Sequence, residues 1–109
     1  MNDPGKPAPA SSAGGSALAL PIVRDLVIIN KRGLHARASA KFVQLVEQFE
    51  ADVKVSRGGE TVGGTSIMGL MMLSAAPGTT IRIEATGPQA TEVADALAAL
   101  IDSRFGEED

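Results

Sequence analysis

Apolar positions change their spacing several times along this chain, and each change marks an element. The run Ile22-Val23-Arg24-Asp25-Leu26-Val27-Ile28-Ile29 is dense in β-prone apolar residues and predicts a buried strand. After His35 the spacing turns helical, with Ala36, Ala40, Phe42, Val43, Leu45, Val46 and Phe49 at steps of three and four. Ala51 to Ser56 alternates Val53 and Val55 with Asp52 and Lys54, as a half-buried strand does. Arg57-Gly58-Gly59-Glu60 signals a hairpin turn into a short strand beginning at Thr61-Val62-Gly63. Gly63-Gly64 ends that strand, and Ser66 can cap a short apolar helix from Ile67 to Leu73. Pro77-Gly78 turns the chain into a clean alternation from Thr79 to Ala85. Beyond Gly87-Pro88, a closing helix carries Val93, Ala94, Leu97, Leu100, Ile101 and Phe105 on one stripe. The order β-α-β-β-α-β-α suits an α+β fold, an antiparallel sheet with helices packed on one face.

The first twenty residues break this patterning. MNDPGKPAPASSAGGSALAL is rich in Pro, Gly, Ala and Ser, which predicts a disordered tail over 1–20 ahead of a folded domain over 21–109. Lys6 beside Asp3 is a poor n-region, and the apolar stretch from Ala17 runs straight into the first strand, so no export signal is expected. No segment approaches the roughly 20 consecutive apolar residues of a membrane span.

Composition narrows the chemistry further. A chain of 109 residues is one domain with one core. It has no cysteine and a single histidine, which excludes disulfides and thiolate metal sites and leaves a conventional transition-metal centre short of ligands. The missing cysteines fit a cytoplasmic location. A net charge of -3, no Trp, no Tyr and three Phe argue against nucleic-acid binding.

The candidate chemistry lies in Gly33-Leu34-His35-Ala36-Arg37. His35 falls where a strand and its loop meet a helix N-terminus, whose unpaired N–H groups make an anion site. A neutral imidazole is a nucleophile near pH 7, and Arg37 offers a fork for phosphate oxygens. No acidic residue lies between Asp25 and Glu47, whereas Lys31, Arg32, Arg37 and Lys41 do, so the histidine has a basic neighbourhood. These features point to a histidine that carries a phosphoryl group. A solvated helix face with a surface histidine has the same pattern. In the Ser66 segment, Ile67, Met68, Leu70, Met71, Met72 and Leu73 exceed what one buried stripe can hold, so part of it is expected to form an adaptable partner-binding surface. The alternative is a short helix buried all round, and Ser66 is most simply an N-cap.

These residues resemble the HPr family of histidine phosphocarriers of the bacterial phosphotransferase system. GLHARASAKFV is similar to the family's active-site motif, and SIMGLMML, at the family's ungapped spacing, to its regulatory-serine segment. IEATGPQ and the closing Phe105-Gly106-Glu107-Glu108-Asp109 resemble the nitrogen-type branch, NPr, more than sugar-transport HPr. The likeness runs from about Ile22 to the last residue. It implies an open-faced β-sandwich, a four-stranded antiparallel sheet with three helices on one face. It implies that His35 is phosphorylated on Nδ1, that Arg37 steadies the phosphoryl group, and that Ser66 matches the serine modified by an HPr kinase/phosphorylase in some relatives. The implied donor is an enzyme I charged by phosphoenolpyruvate, and the acceptors are enzyme IIA proteins. Both would dock on Ala36, Lys41, Ile67, Met68 and Met71. The chain would then be a monomeric carrier without cofactor or metal, an intermediate in phosphoryl transfer rather than a stand-alone enzyme. Two positions depart from the family pattern: Ala38 stands where proline is usual, and Thr65 where many sugar-type members have lysine.

Three uses follow from these residues. The chain feeds a regulatory, nitrogen-type relay; or it is a binding protein whose phosphorylation state controls enzymes or transporters; or it serves sugar uptake. A small-ligand regulatory domain on a related sandwich would leave Gly33-Leu34-His35-Ala36-Arg37 unexplained.

Overall fold

The computed structural model describes residues 20–107, so all but Leu20 of the expected tail, together with Glu108 and Asp109, lies outside the described residues. The elements are β1 (Ile22–Val27), α1 (Ala36–Val46), β2 (Asp52–Arg57), β3 (Glu60–Gly63), α2 (Ile67–Met72), β4 (Thr80–Thr86) and α3 (Ala90–Asp102), followed by a tight turn at Arg104–Gly106. The strands form one antiparallel sheet in the order β1-β4-β2-β3.

Alternation decides which face of the sheet is buried. Ile81, Ile83 and Ala85 of β4 and Val53 and Val55 of β2 point inward, while Arg82, Glu84 and Lys54 point out. Phe42 and Val46 of α1, Val93 and Leu97 of α3, and Leu70 of α2 close the core over the inward face. Arg24 of β1 reaches Asp95 of α3 at 3.1 Å, tying the edge strand to the closing helix. On the outer face Arg82 makes two hydrogen bonds to its cross-strand neighbour Asp25, at 2.8 and 3.1 Å.

The first strand differs from expectation. It ends at Val27 and is not buried: as a sheet edge with one open face, it exposes Val23, Asp25 and Val27. Ile28 then turns fully inward while Ile29 is exposed, and Ile28 keeps backbone bonds with Thr79 and Gly78. The stripe assigned to α1 also overruns the helix, which stops at Val46; Phe49 packs on the core from the loop beyond. Gly58 and Gly59 take φ of 59° and 86°, the left-handed pair that a two-residue hairpin needs, so Glu60 belongs to β3 opposite Arg57.

The largest correction concerns the chain's end. Phe105 does not continue the stripe of α3, which ends at Asp102. The backbone passes instead through positive φ at Arg104 (60°), Phe105 (56°) and Gly106 (74°), and this turn swings the Phe105 ring into the core. A left-handed conformation costs a non-glycine residue about 1–3 kcal/mol, and full burial of a phenylalanine returns roughly 1.5–3 kcal/mol. Burial of one ring thus offsets about one of the two strained residues. The turn needs further anchors, and it finds them at the histidine.

Candidate functional site

His35 is the N-cap of α1. Gly33 places it there: its φ is +67°, and a Cβ at that position would come within 2.3 Å of the Ala75 carbonyl oxygen. Leu34 N–H donates to that same oxygen at 3.0 Å, and His35 N–H donates to the Gly33 carbonyl at 2.9 Å. Leu34 is buried, and Ser39 Oγ–H donates to its carbonyl at 3.3 Å. The loop is therefore held on both sides of the histidine. Ser39 N–H makes the first bond of the helix, to His35 O at 2.8 Å. The N–H groups of Ala36, Arg37 and Ala38 ahead of it have no partner within the helix, and no acidic residue lies in the first turn of α1.

The imidazole lines an open cavity of about 470 Å³ with Lys31, Arg32, Arg37, Lys41, Gly106 and Glu107. Four cations thus surround one histidine, as the sequence suggested. One acid joins them. Glu107 arrives from the chain's end and its Oε2 contacts His35 Nε2. Asn30, buried before α1, donates from Nδ2 to both Glu107 oxygens at 3.2 Å and to Gly33 O at 2.8 Å. Lys41 donates from Nζ to the Phe105 carbonyl at 2.6 Å, pinning the strained turn to α1. The hydrogen bond from His35 holds the Glu107 carboxyl below the usual carboxylate range; Asn30 and the charges of His35 and Arg32 add to this, and burial works against it. Charge patterning within residues 25 to 47 could not show Glu107 or Asn30. One is far away in sequence and the other is uncharged.

The structure brings His35, Arg37 and Lys41 to one cavity, and leaves Arg37 and Ala36 exposed. Ser66, Ile67, Met68 and Met71 lie outside that cavity, on α2, which packs against α1. The expected surplus on α2 is outside the core: Leu70 alone among its six residues is buried, with Ile67, Met68, Met71 and Met72 exposed. Ser66 caps α2 by accepting from Gly69 N–H at 3.0 Å, and Arg57 caps the other end, donating to Leu73 O at 3.0 Å. Among the described residues no three His, Asp or Glu converge as a metal site, and no helix is long and apolar enough to cross a membrane.

Comparison with known proteins gives this arrangement its family. The family model described as PTS HPr component phosphorylation site matches residues 22–103. The chain belongs to the HPr family of phosphocarriers of the phosphotransferase system. It is 57% identical over 84 residues to phosphocarrier protein HPr of Cupriavidus necator, covering 77% of this chain and 94% of that protein. Phosphocarrier protein NPr of Shewanella violacea is 38% identical over 84 residues, covering 77% of this chain and 92% of its own length. The crystal structure of HPr from Thermoanaerobacter tengcongensis superposes with a TM-score of 0.77 at 39% identity, covering 81% of this chain and 99% of that one. The HPr fold, a four-stranded antiparallel sheet with three helices, is thus the one described above.

Proposed function

We propose that this HPr-family chain is the carrier of a nitrogen-type regulatory relay, in which His35 accepts a phosphoryl group on Nδ1 from a phosphoenolpyruvate-charged enzyme I and passes it to enzyme IIA proteins. The observation that carries the phosphocarrier reading is His35 at the mouth of α1, in a cavity also lined by Lys31, Arg32, Arg37 and Lys41. Helix N–H groups and a guanidinium meet charge developing on the transferring phosphoryl oxygens. Nε2 is engaged by Glu107, which leaves Nδ1 for the phosphorus.

Arg37 steadies the phosphoryl group. Ala36 and Lys41 on α1 and Ile67, Met68 and Met71 on α2 form the docking face, where apolar contact meets a basic rim suited to acidic partner surfaces. Ser66 is the site at which a kinase would add negative charge beside that face. The chain acts as a cytoplasmic monomer.

The nitrogen-type assignment rests on the sequence segments IEATGPQ and Phe105-Gly106-Glu107-Glu108-Asp109. A second reading, a carrier for sugar uptake, is favoured by the name HPr on the Cupriavidus necator relative. Incubation with phosphoenolpyruvate and a nitrogen-type or a sugar-type enzyme I in turn, followed by mapping of acid-labile phosphate, separates the two. Label on His35 from the nitrogen-type enzyme I supports the proposal. Label from the sugar-type enzyme alone supports the second reading, and no label from either overturns both.

A further inference from the structure

Glu107 stands outside the motif that carries the site, at the last described position of the chain, and it touches the reactive ring. Its placement is built from several directions. Asn30 donates to both carboxylate oxygens from a fully buried position; Lys41 holds the preceding turn by the Phe105 carbonyl; and the Phe105 ring is sunk in the core. Arg104 and Phe105 accept positive φ to bring it there. Strain of this kind persists where surrounding contacts over-determine it, and it clusters at functional sites.

The chemistry of the contact has one sense. An ionised carboxylate only accepts hydrogen bonds, so Nε2 of His35 must donate. A neutral imidazole carries one proton, and when it sits on Nε2 the lone pair is left on Nδ1. We propose that Glu107 is a positioning residue for phosphoryl acceptance: it holds His35 as the Nε2–H tautomer, so that Nδ1 faces the donor as nucleophile, and it balances the positive charge the ring gains in the reaction. This rests on the reading of His35 as the phosphorylated residue.

In the step itself the Nδ1 lone pair forms the N–P bond while the bond from phosphorus to the donor breaks, and that electron pair leaves with the donor. The Nε2 proton stays in place, shared with Glu107. The ring becomes a cation facing a carboxylate, and no separate base is needed. The negative charge of Glu107 would also oppose the incoming phosphoryl group, but Lys31, Arg32, Arg37 and Lys41 line the same cavity and outnumber it.

Long-range proton–nitrogen correlation spectra of the full chain labelled at histidine, taken at a pH where the ring is neutral, read the tautomer directly. The wild type should be dominated by the Nε2–H form. In Glu107→Ala the Nδ1–H share should rise severalfold, and phosphoryl acceptance from enzyme I should fall roughly tenfold to hundredfold, the worth of one charge-assisted hydrogen bond. A residue that merely anchors the chain's end would lower the melting temperature of Glu107→Ala and leave the tautomer ratio alone. An unchanged ratio or an unchanged rate in that variant overturns the proposal while the His35 reading stands. A wild-type chain that takes no phosphate overturns both.

Discussion

At the scale of single residues, the site depends on a backbone conformation that one glycine permits. Any side chain at Gly33 meets the Ala75 carbonyl at 2.3 Å and must also adopt a φ of +67°. Gly33→Ala should therefore cost about 1–3 kcal/mol or more and tilt His35 away from its cavity. A melting temperature within a degree of wild type would show that the loop relaxes freely. His35→Ala should fold and accept no phosphate, since no other imidazole exists in the chain; acid-labile phosphate on that variant would refute the assignment. Arg37 is exposed and lines the cavity of His35. Arg37→Ala should keep its stability and slow transfer roughly tenfold to hundredfold, as expected for one charge-assisted contact. Equal rates would leave the arginine without a role in transfer. The placement of Gly33, His35 and Arg37 around the mouth of α1 was legible in the sequence because they lie within a few positions of one another. Glu107 was not legible, because only the turn at Arg104–Gly106 brings it back to a histidine at the other end of the fold.

Among the elements, α2 is the one whose sequence and structure agree on something unusual. Six residues with one buried side chain cannot be held by packing alone, and both ends are tied by side chains, Ser66 at the start and Arg57 at the finish. Ser66→Ala should cost about 0.5–2 kcal/mol of cap energy and transfer normally. Ser66→Asp keeps an oxygen for Gly69 N–H and adds negative charge at a helix N-terminus, so stability should hold or rise slightly. Transfer from enzyme I should weaken, more so at low salt, because the charge sits beside a face flanked by Arg37 and Lys41. Melting temperature and transfer rate, measured for both variants, separate the two roles. An Asp variant that transfers like wild type at low salt would make Ser66 a cap and nothing more. Element types came through the sequence well, because alternation in β2 and β4 and three-four spacing in α1 and α3 are local signals. Boundaries came through less well. Phe49 and Phe105 continue a helical spacing yet reach the core from outside their helices, since apolar spacing records burial whichever backbone delivers it. The density of apolar residues in β1 suggested a buried strand, but its place at the sheet edge is a property of topology.

For the molecule as a whole, acid should expose how much the loop before α1 and the turn after α3 depend on each other. Among the described residues two carboxyls sit below their ordinary range: Asp25, chiefly through its hydrogen bonds with Arg82, and Glu107, chiefly through its bond with His35. A carboxyl with a lowered folded-state pKa adds stability above its unfolded value, near pH 4, and that stability drains away as pH falls through the lower folded value. The acid branch of the stability curve should thus descend from about pH 4 downward. The two groups should not weigh equally. Asp25 and Arg82 are both half-exposed on the open face of the sheet, where screening leaves an ion pair little net worth. Glu107 is mostly shielded, and it joins the turn after α3 to the loop before α1 through His35 and Asn30, with Arg32 nearby. Glu107→Gln should consequently flatten the descent more than Asp25→Asn does, and its difference from wild type should shrink toward zero at the acid end, where Glu107 is itself protonated. Urea unfolding at a series of pH values measures this. A Glu107→Gln penalty that stays constant down to the acid end would mean that shape, and not charge, joins the chain's end to the histidine loop.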